Sequence, residues 1–566
     1  MVVTLFCFLI VCLIFVVFGN IITLNFDVKN KSYSIIDNYF IGLCVVGTLL
    51  NFWSLFLPTD YTALLFLLLL TSLFLVKKRK FIIPKLLKNL RFIKSQKYFT
   101  LILCFATIIL LLYATVTPRL FDTYLYHINA IQWNENFRAV PGLANFHHRL
   151  GFNSSSLVLG AAFSFNDLFN QYIFVINSCS MLLFFFWILK TIYFKRNYEV
   201  LFSILFIYYF FKQYALDISS PSTDLITNII VGYLFLTLLF DSKAIQSKSM
   251  LFIIVPIFSL TLKLSILPIV LISIYCIYLK KENLFQTLKV FSMYSFIFLI
   301  PWLVRNVILT GYIIFPFERL DLFNFDWEVS KSYITEVDKS VKSWARIPER
   351  NFDEVLSMPL SQWFEIWFNK KELSNKVFFI LAVFTPLTSI LFFITNKKNR
   401  TTSLLLLSTV AYLIFIFWFF TAPDFRFSFS IILFLAILPL YFLKDIFSFS
   451  KKITNPIAIT VCVYCFMMIA YNGFVLFTED YRKIKTVIKY AYLPKDVYYE
   501  KFKRNIVFNK KTYYSPNKVG INLYEPALHF QNFDQFPSTL YLDESFKLRG
   551  DHLQDGFLTN KKTFFW

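Results

Sequence analysis

The stretch FTLILCFATIILLLYATVTPRLFDTYLYHINAIQW occupies residues 99–133. Its first eighteen residues carry no charge, and this is about the length at which a helix crosses a hydrocarbon core of about 30 Å. Because lipid cannot satisfy backbone polar groups, such a block predicts a membrane-spanning helix. Arg119, Asp122 and His127 follow within nine residues. This abrupt return of charge predicts a polar segment at the membrane surface.

The composition of the whole chain predicts a membrane protein. Its 566 residues are 57% hydrophobic and 16% charged, whereas soluble chains carry about 25% charged residues. We therefore predict an all-α polytopic transmembrane protein. The net charge of +22 is interpreted as the excess of Lys and Arg in cytoplasmic loops. No folded basic face is evident, so we expect no nucleic-acid partner.

Apolar blocks divide the chain into about fourteen predicted spans. They are 2–24, 40–57, 61–76, 99–116, 171–190, 198–213, 224–240, 250–263, 264–279, 287–304, 376–395, 402–420, 427–445 and 457–477.

Charge predicts the side of each loop. Residues 77–97 contain nine Lys and Arg, so this loop is predicted to be cytoplasmic. The other basic loops agree only if residues 250–279 cross twice as a thin pair that turns near TLKLSILP (261–268). The segments predicted to lie outside are 117–170, 213–224, 305–375 and the tail after 478.

This assignment of spans and loop sides divides the chain into three regions. Residues 1–98 form an N-terminal region with three spans and the basic loop, and residues 99–477 form a transmembrane core. Residues 478–566 form an extracytoplasmic tail, in which short aromatic runs alternate with polar turns. This alternation predicts a small α+β module.

Polar residues gather in the first long outer segment. LFDTYLYHINAIQW (120–133) is predicted to be an interfacial helix, with Leu125, Ile128 and Trp133 facing lipid while Asp122, His127 and Asn129 face away. Three of the five histidines of the chain lie within 22 residues, from 127 to 148. This clustering in a His-poor chain indicates a site.

Further ionisable and polar residues return to the same predicted face. Such groups at membrane depth are costly and mark a site by default. The additional candidates are His147, His148, Arg149, Asn153, Asp217, Asp224, Lys263, Arg305, Asp424 and Arg426.

These residue types suit an anionic substrate linked to a lipid. Arg, Lys and His would neutralise phosphate, and a carboxylate such as Asp122 would take a proton from an acceptor hydroxyl. Simpler interpretations remain open for each residue: a helix cap for Asp122, Asp217 or Asp224, a solvated loop face for residues 147–149, and an interfacial anchor for Lys263, Arg305 or Arg426. The acids could also bind a divalent cation such as Mg or Mn, although no D-x-D motif is present.

The pattern resembles the C-type membrane glycosyltransferases, the GT-C superfamily. The resemblance rests on an acid after the first core span (Asp122), on TLKLSILP, on PWLVRNVILTGYIIFP (301–316) and on APDFRF (422–427). The loop VPGLANFHHRLGFNSSS (140–156) is similar to one in uncharacterised bacterial membrane proteins. Many family members have two adjacent acids at the base position, whereas Thr123 follows Asp122 here.

The resemblance implies a glycosyltransferase of the bacterial cytoplasmic membrane, with its active site on the extracytoplasmic side. Asp122 would be the catalytic base, and interfacial helices would follow it. A polyprenyl-phosphate-linked sugar would enter from the bilayer, and a glycan, lipid or protein acceptor from outside, with inversion at the sugar. His127, His147, His148, Arg149, Asn153, Lys263, Arg305 and Arg426 would bind the donor phosphate or substrate. Asp217, Asp224 and Asp424 are secondary acidic candidates.

Two other functions remain open. An O-antigen polymerase or ligase would use the same chemistry with a diphosphate-linked donor. A polysaccharide or lipid transporter (a flippase) would instead place polar residues along the spans near the midplane, or show an inverted repeat. The sequence shows neither feature, which favours a one-sided site and a transferase.

Overall fold

The computed structural model describes residues 1–27, 33–116, 118–194, 198–395, 401–442, 467–468, 470–472, 475, 508–526, 535–539 and 547–559. The helices are α1 Val2–Phe26, α2 Ile35–Trp53, α3 Tyr61–Ser95, α4 Lys97–Thr115, α5 Ile128–Asn136, α6 Leu143–Phe146, α7 Ser155–Ala162, α8 Asn166–Phe169, α9 Ile176–Phe194, α10 Tyr198–Tyr214, α11 Thr223–Phe240, α12 Ala244–Ser247, α13 Ser249–Ser259, α14 Val270–Lys281, α15 Leu284–Thr310, α16 Lys331–Arg346, α17 Phe352–Ser357, α18 Leu360–Asn369, α19 Leu373–Thr395, α20 Thr402–Thr421 and α21 Phe425–Phe442. The strands β1 Phe508–Tyr514 and β2 Gly520–Pro526 pair antiparallel.

Twelve helices among the described residues are long and apolar enough to cross a membrane. The chain is therefore a multi-pass membrane protein built mainly from helices. The twelve correspond to twelve of the predicted spans. The predicted span 250–263 is the shorter apolar helix α13, and the predicted span 457–477 lies almost entirely outside the described residues.

The helices α1 and α2 form a tight antiparallel pair, because two glycines let their backbones touch. A Cβ atom on Gly19 would lie 1.8 Å from the carbonyl oxygen of Asn38, and one on Gly42 would lie 1.7 Å from that of Phe15. Side-chain hydrogen bonds accompany this contact, since Asn38 donates to Asn20 at 3.1 Å. Close packing of small residues with buried polar bonds holds helices together in lipid, where apolar burial alone gives little preference.

Residues 250–279 contain two short apolar helices with a turn between them, which fits the predicted thin pair. The helix α13 stops at Ser259, a turn follows, and Leu264–Ile269 forms a 3₁₀ helix before α14. Lys263 lies in this turn. The N-terminus of α7 contacts the turn, because Ser155 N–H donates to the Thr261 carbonyl at 3.0 Å and Ser154 Oγ donates to the Leu262 carbonyl at 2.9 Å.

The segment after Asp122 is helical as predicted, but its apolar side chains do not face lipid. Leu125, Ile128 and Trp133 are 9%, 3% and 2% exposed. Ile128 packs on Ile131 and on α7, and Trp133 packs in a cluster with residues of the C-terminal tail. The prediction of a lipid-facing apolar side is therefore wrong, because other outer segments cover the helix.

The C-terminal tail provides much of that cover. Phe536 lies 5.1 Å from Trp133, and Phe557 stacks on Phe146, also at 5.1 Å, between ring centroids. The Ser538 carbonyl accepts a hydrogen bond from Asn129 at 2.6 Å. The described tail contains the β1–β2 hairpin and a 3₁₀ turn, Leu553–Asp555. The strand part of the predicted α+β module is thus present, and its helical part is not seen in the described tail residues.

The second long segment predicted to lie outside, residues 305–375, also rests on the first, residues 117–170. The helix α15 continues to Thr310 and ends at Gly311, so Arg305 lies within a helix and not in a loop. Ile334 and Val337 of α16 form a small core with Tyr312 and Ala144. Both long outer segments and the tail therefore meet at one end of the bundle, which we call the Asp122 end.

We predict that Gly42→Ala destabilises the α1–α2 pair by about 1–3 kcal/mol, because the added methyl group overlaps backbone that cannot move aside. Thermal unfolding of the purified chain in detergent measures this loss. The matched control is Gly160→Ala, because the nearest atom there is the flexible Cδ1 of Ile131 at 3.1 Å. Equal unfolding temperatures for the two variants would contradict the prediction.

Candidate functional site

Asp122 stands at a break between two helical segments. The helix α4 ends at Thr115, and residues 118–120 are not helical. The chain resumes a helix at 121 and passes through a π-helical turn, Thr123–His127, into α5. Single π turns occur frequently at functional sites, because the extra residue changes the direction of neighbouring side chains. No side-chain capping bond is formed at Asp122, which argues against its interpretation as a helix cap.

Arg426 joins Asp122 to two other carboxylates. Its Nη1 lies 2.7 Å from Asp122 Oδ2, and its Nε lies 3.0 Å from Asp424 Oδ2 and 3.8 Å from Asp224 Oδ2. One guanidinium therefore connects the segment after α4, the first turn of α11, and the connection between α20 and α21. Arg426 and Asp122 are 304 residues apart in the sequence.

Lys263 extends the cluster to the thin pair. Its Nζ forms an ion pair with Asp224 Oδ1 and lies 3.5 Å from the ring centroid of Phe427. A lysine above an aromatic ring gains from the cation–π interaction. Lys263 is thus bound on two sides and does not act as an interfacial anchor.

Neutral side chains fix the backbone around Arg426. Its carbonyl accepts hydrogen bonds from the Tyr214 hydroxyl at 2.7 Å and from Asn228 at 3.1 Å. The Trp418 indole donates to the Asp424 carbonyl at 2.7 Å. Our sequence analysis missed Tyr214, Asn228 and Trp418, since none of the three carries a charge.

The charges around Asp122 keep its carboxyl ionised. Burial raises the pKa of Asp122, but Arg426, His127 and Arg149 lower it, and the pKa lies below its ordinary value. Burial lowers the pKa of His127 to about 4, so this imidazole is neutral near pH 7. Near pH 7, the pKa of Asp122 is therefore lowered by the charges of Arg426 and Arg149. The Asp122 side chain remains 20% exposed, which leaves it accessible.

Residues 147–149 form a second group, close enough for Arg149 to act on Asp122. His147 Nδ1 accepts a hydrogen bond from the Arg149 backbone at 3.1 Å and so caps the 3₁₀ turn His148–Gly151. His148 stacks on His147 with ring centroids 5.2 Å apart. Burial and the charge of Arg149 lower the pKa of His147 to about 3 and that of His148 well below its usual value. Both imidazoles are therefore neutral.

Two histidine nitrogens in this region are buried without a hydrogen bond. Among the described residues, neither His127 Nδ1 nor His147 Nε2 has a partner, and both side chains are 3% exposed. Buried polar atoms are rarely left unbonded. Arg149 likewise has no carboxylate within 4.0 Å in the described part of the chain. These groups can therefore hold a polar ligand, preferably an anion.

Arg305 and Asn153 belong to a separate polar centre. The Arg305 guanidinium donates to Asn153 Oδ1 and Ser54 Oγ, both at 2.8 Å, and to Asn134 Oδ1 at 2.5 Å. Arg305 is 4% exposed, and no charged group among the described residues acts on it. It is neither an interfacial anchor nor part of the Asp122 cluster. It ties α15 to α2, α5 and the loop before α7.

The acids do not form a metal site in the described residues. Within that part of the chain, no group of three or more His, Cys, Asp or Glu side chains could hold a metal ion. Asp217 is 7% exposed and lies within electrostatic reach of Asp122, Asp224 and Arg426. The carboxylates Asp122, Asp224 and Asp424 converge on Arg426, so an arginine stands where a shared cation would have to bind.

One comparison with known proteins gives a match. A family model described as a domain of unknown function, DUF8201, matches residues 1–433. None of the curated proteins and none of the solved structures matches the chain. Every candidate site residue lies within the matched segment, whereas the C-terminal tail lies beyond it.

Glu135 is a further, half-buried acid that our sequence analysis missed. It lies in α5 and accepts a hydrogen bond from the Tyr172 hydroxyl at 3.1 Å. Burial raises its pKa to about 7. Because its pKa is raised on folding, its contribution to stability is complete below its ordinary pKa of about 4.5 and is lost as the pH rises through about 7.

We predict that Glu135→Gln raises the unfolding temperature by a few degrees near pH 8 and leaves it unchanged near pH 4.5. The amide keeps the hydrogen bond from Tyr172 but carries no charge that must be desolvated. Tryptophan fluorescence during heating in detergent measures both temperatures. The exposed Glu365→Gln serves as the control, with no difference at either pH. The same pH dependence in Glu135→Gln and in the wild type would exclude a buried titration at this position.

Proposed function

We propose that this chain, which belongs to the DUF8201 family, is a membrane glycosyltransferase. It would move a sugar from a polyprenyl-phosphate donor in the bilayer to an acceptor at the Asp122 end, with inversion at the anomeric carbon. The observation that carries the proposal is an ionised, accessible carboxylate, Asp122, within electrostatic reach of Arg149, which has no carboxylate partner among the described residues.

The surroundings of Asp122 suit a lipid-linked substrate. Phe121, the preceding residue, is 51% exposed, and Leu216, next to Asp217, is 40% exposed. Exposed apolar side chains next to a membrane span are suited to contact with lipid. A polyprenyl chain could therefore stay in the bilayer while its phosphate reaches the polar residues. A fully water-soluble donor would not need exposed apolar residues beside the site.

In the proposed reaction, Asp122 accepts the proton of the acceptor hydroxyl. The hydroxyl oxygen attacks the anomeric carbon from the face opposite the phosphate, and a new glycosidic C–O bond forms. The bond between the anomeric carbon and the phosphate oxygen breaks, and polyprenyl phosphate leaves with the electron pair. A positioned general base contributes about 10²–10⁴-fold to the rate of such a step.

The cations divide into two roles. Arg426 and Lys263 are bound to Asp122, Asp224 and Asp424, and they hold these carboxylates in place. Arg149 has no such partner among the described residues, so we assign the leaving phosphate to it. The neutral His147 and His127 can each add a hydrogen bond through their unbonded nitrogens. Charge-assisted bonds to phosphate are the stronger kind.

A lipid translocase is the second candidate, and one observation favours it. Asp37 is fully buried near the opposite end of the bundle, where it forms an ion pair with Lys248 at 2.9 Å. Ionisable residues at membrane depth often mark a transport path. A translocase would move the lipid without making a glycosidic bond, whereas a transferase leaves a covalent product.

We predict that Asp122→Asn abolishes sugar transfer, lowering it at least 100-fold, because the amide cannot accept the proton. The measurement is mass spectrometry of surface glycans and lipid-linked sugars in a deletion strain of the source organism, complemented with either form. A sugar restored by wild type but not by Asp122→Asn supports the proposal. The control is Asp167→Asn, an exposed acid in the same outer segment, which should complement fully.

Two outcomes would contradict the transferase. Full complementation by Asp122→Asn would exclude Asp122 as the base. Unchanged covalent glycans in the deletion strain, with a lipid-linked sugar accumulating on one leaflet, would support the translocase instead.

We also predict that Arg149→Gln raises the KM for the lipid donor roughly 10-fold or more, since one charge-assisted bond to phosphate is lost. Arg149→Gln should also shift the acidic limb of the pH–activity profile to higher pH, because Arg149 lowers the pKa of Asp122. Initial rates in proteoliposomes at several pH values measure both effects. The exposed Arg138→Gln is the matched control. An unchanged KM would remove Arg149 from the phosphate site.

A further inference from the structure

Four lysines from three parts of the chain gather at the end of the bundle opposite Asp122. Lys85 and Lys88 belong to α3, Lys190 to α9, and Lys248 precedes α13. Three of them are held in place by contacts. Lys85 Nζ donates to Asn20 at 3.1 Å, Lys190 Nζ lies 5.4 Å from the ring centroid of Phe92, and Lys248 Nζ lies 2.9 Å from Asp37.

The four charges are close enough to repel each other. Lys88 and Lys248 both act on Lys190, and Lys248 also acts on Lys85. Among the described residues, Asp37 is the one carboxylate that acts on Lys85 and Lys190. Four cations therefore share a single anion, and like charges at this spacing oppose the folded arrangement.

Asp37 cannot neutralise the group, because it carries a single negative charge and is already paired with Lys248. Its Oδ1 accepts from the Tyr233 hydroxyl at 2.5 Å. Its Oδ2 accepts from the backbone and hydroxyl of Ser34 at 2.6 and 2.7 Å and pairs with Lys248. Its side chain is fully buried. Lys85, Lys88 and Lys190 thus lack a carboxylate partner in the described structure.

The C-terminal half of α3 connects these lysines to the membrane surface. The helix departs from helical geometry at Lys78 and contains Pro84. Beyond the kink, Ile83 and Leu87 are 44% and 42% exposed and lie one helical turn apart. Residues 61–121 contain no acidic residue. Apolar side chains between basic ones are typical of a helix in the lipid headgroup region.

We infer that Lys85, Lys88 and Lys190 form a binding site for a phosphate group, and that its occupant is the headgroup of an anionic membrane lipid. The phosphate supplies negative charge to the four lysines, for which Asp37 alone is not enough. The acyl chains of the lipid pack on the exposed apolar residues of α3. Polybasic segments beside a membrane bind anionic lipids, and each Lys or Arg adds to the affinity. This site is independent of the proposed transferase activity.

The test uses the full-length protein, purified and stripped of lipid in detergent. Phosphatidylglycerol is titrated against thermal unfolding, and native mass spectrometry counts the lipid molecules retained. Phosphatidylcholine, which has no net charge, is the reference lipid. We expect phosphatidylglycerol to raise the unfolding temperature of the wild type more than phosphatidylcholine does. Lys88→Gln combined with Lys190→Gln should weaken this response roughly 10- to 30-fold in apparent affinity.

Matched variants separate the site from a general charge effect. Lys281→Gln combined with Lys289→Gln removes two exposed lysines near the α14–α15 connection and should respond like the wild type. Lys88→Gln alone changes an exposed residue and tests the site if the double variant does not fold. Lys88→Arg should retain binding, since it keeps the charge.

Two results would overturn the inference. An equal response of the Lys88/Lys190 and Lys281/Lys289 variants would exclude a site at these lysines. Stabilisation by inorganic phosphate alone, as large as that by phosphatidylglycerol and lost in the same variants, would assign the site to a soluble phosphate and not to a lipid.

Discussion

The sharing of Arg426 among three carboxylates is the interaction on which the Asp122 end depends. Asp122 follows α4, Asp224 lies in the first turn of α11, and Asp424 lies just before α21. Leaving such charges unpaired at the edge of a bilayer is costly. The arginine therefore fixes the segment after α4 and the starts of α11 and α21 relative to one another. It also keeps a carboxylate charged where chemistry on a phosphate-linked substrate would need it.

The other polar centres obey the same constraint with different partners. Arg305 is satisfied by the neutral oxygens of Asn153, Ser54 and Asn134, which makes it a structural tie and leaves it no part in the Asp122 cluster. Asp37 is satisfied by Ser34, Tyr233 and Lys248. In contrast, Arg149 and the lysines of α3 and α9 have no carboxylate partner among the described residues. The contrast between satisfied and unsatisfied charges is what separates supporting residues from candidate ligand-binding residues.

The sequence predicted the helical elements well because length and hydrophobicity suffice to identify a span. The uncharged block before Asp122 is α4, and the turn at Lys263 is present between two short helices. The orientation of α5 was predicted wrongly, with Leu125, Ile128 and Trp133 facing lipid. Hydrophobicity alone cannot distinguish a side chain facing lipid from one covered by a distant segment. Here the cover of Trp133 comes from Phe536 and Phe557, more than 400 residues away in the chain.

By itself, the sequence determined that this is a multi-pass helical membrane protein with its ionisable residues concentrated at the span ends, since lipid excludes unpaired charge from long helices. It also identified Asp122, Arg426, Lys263 and the 147–149 group as the residues of interest. Only the tertiary structure decided which charges are paired. Arg426 meets Asp122 from 304 residues away and Lys263 meets Asp224 from 39 residues away, while Arg149 has no carboxylate partner among the described residues. A pattern along the chain contains no information about which of several similar charges will meet.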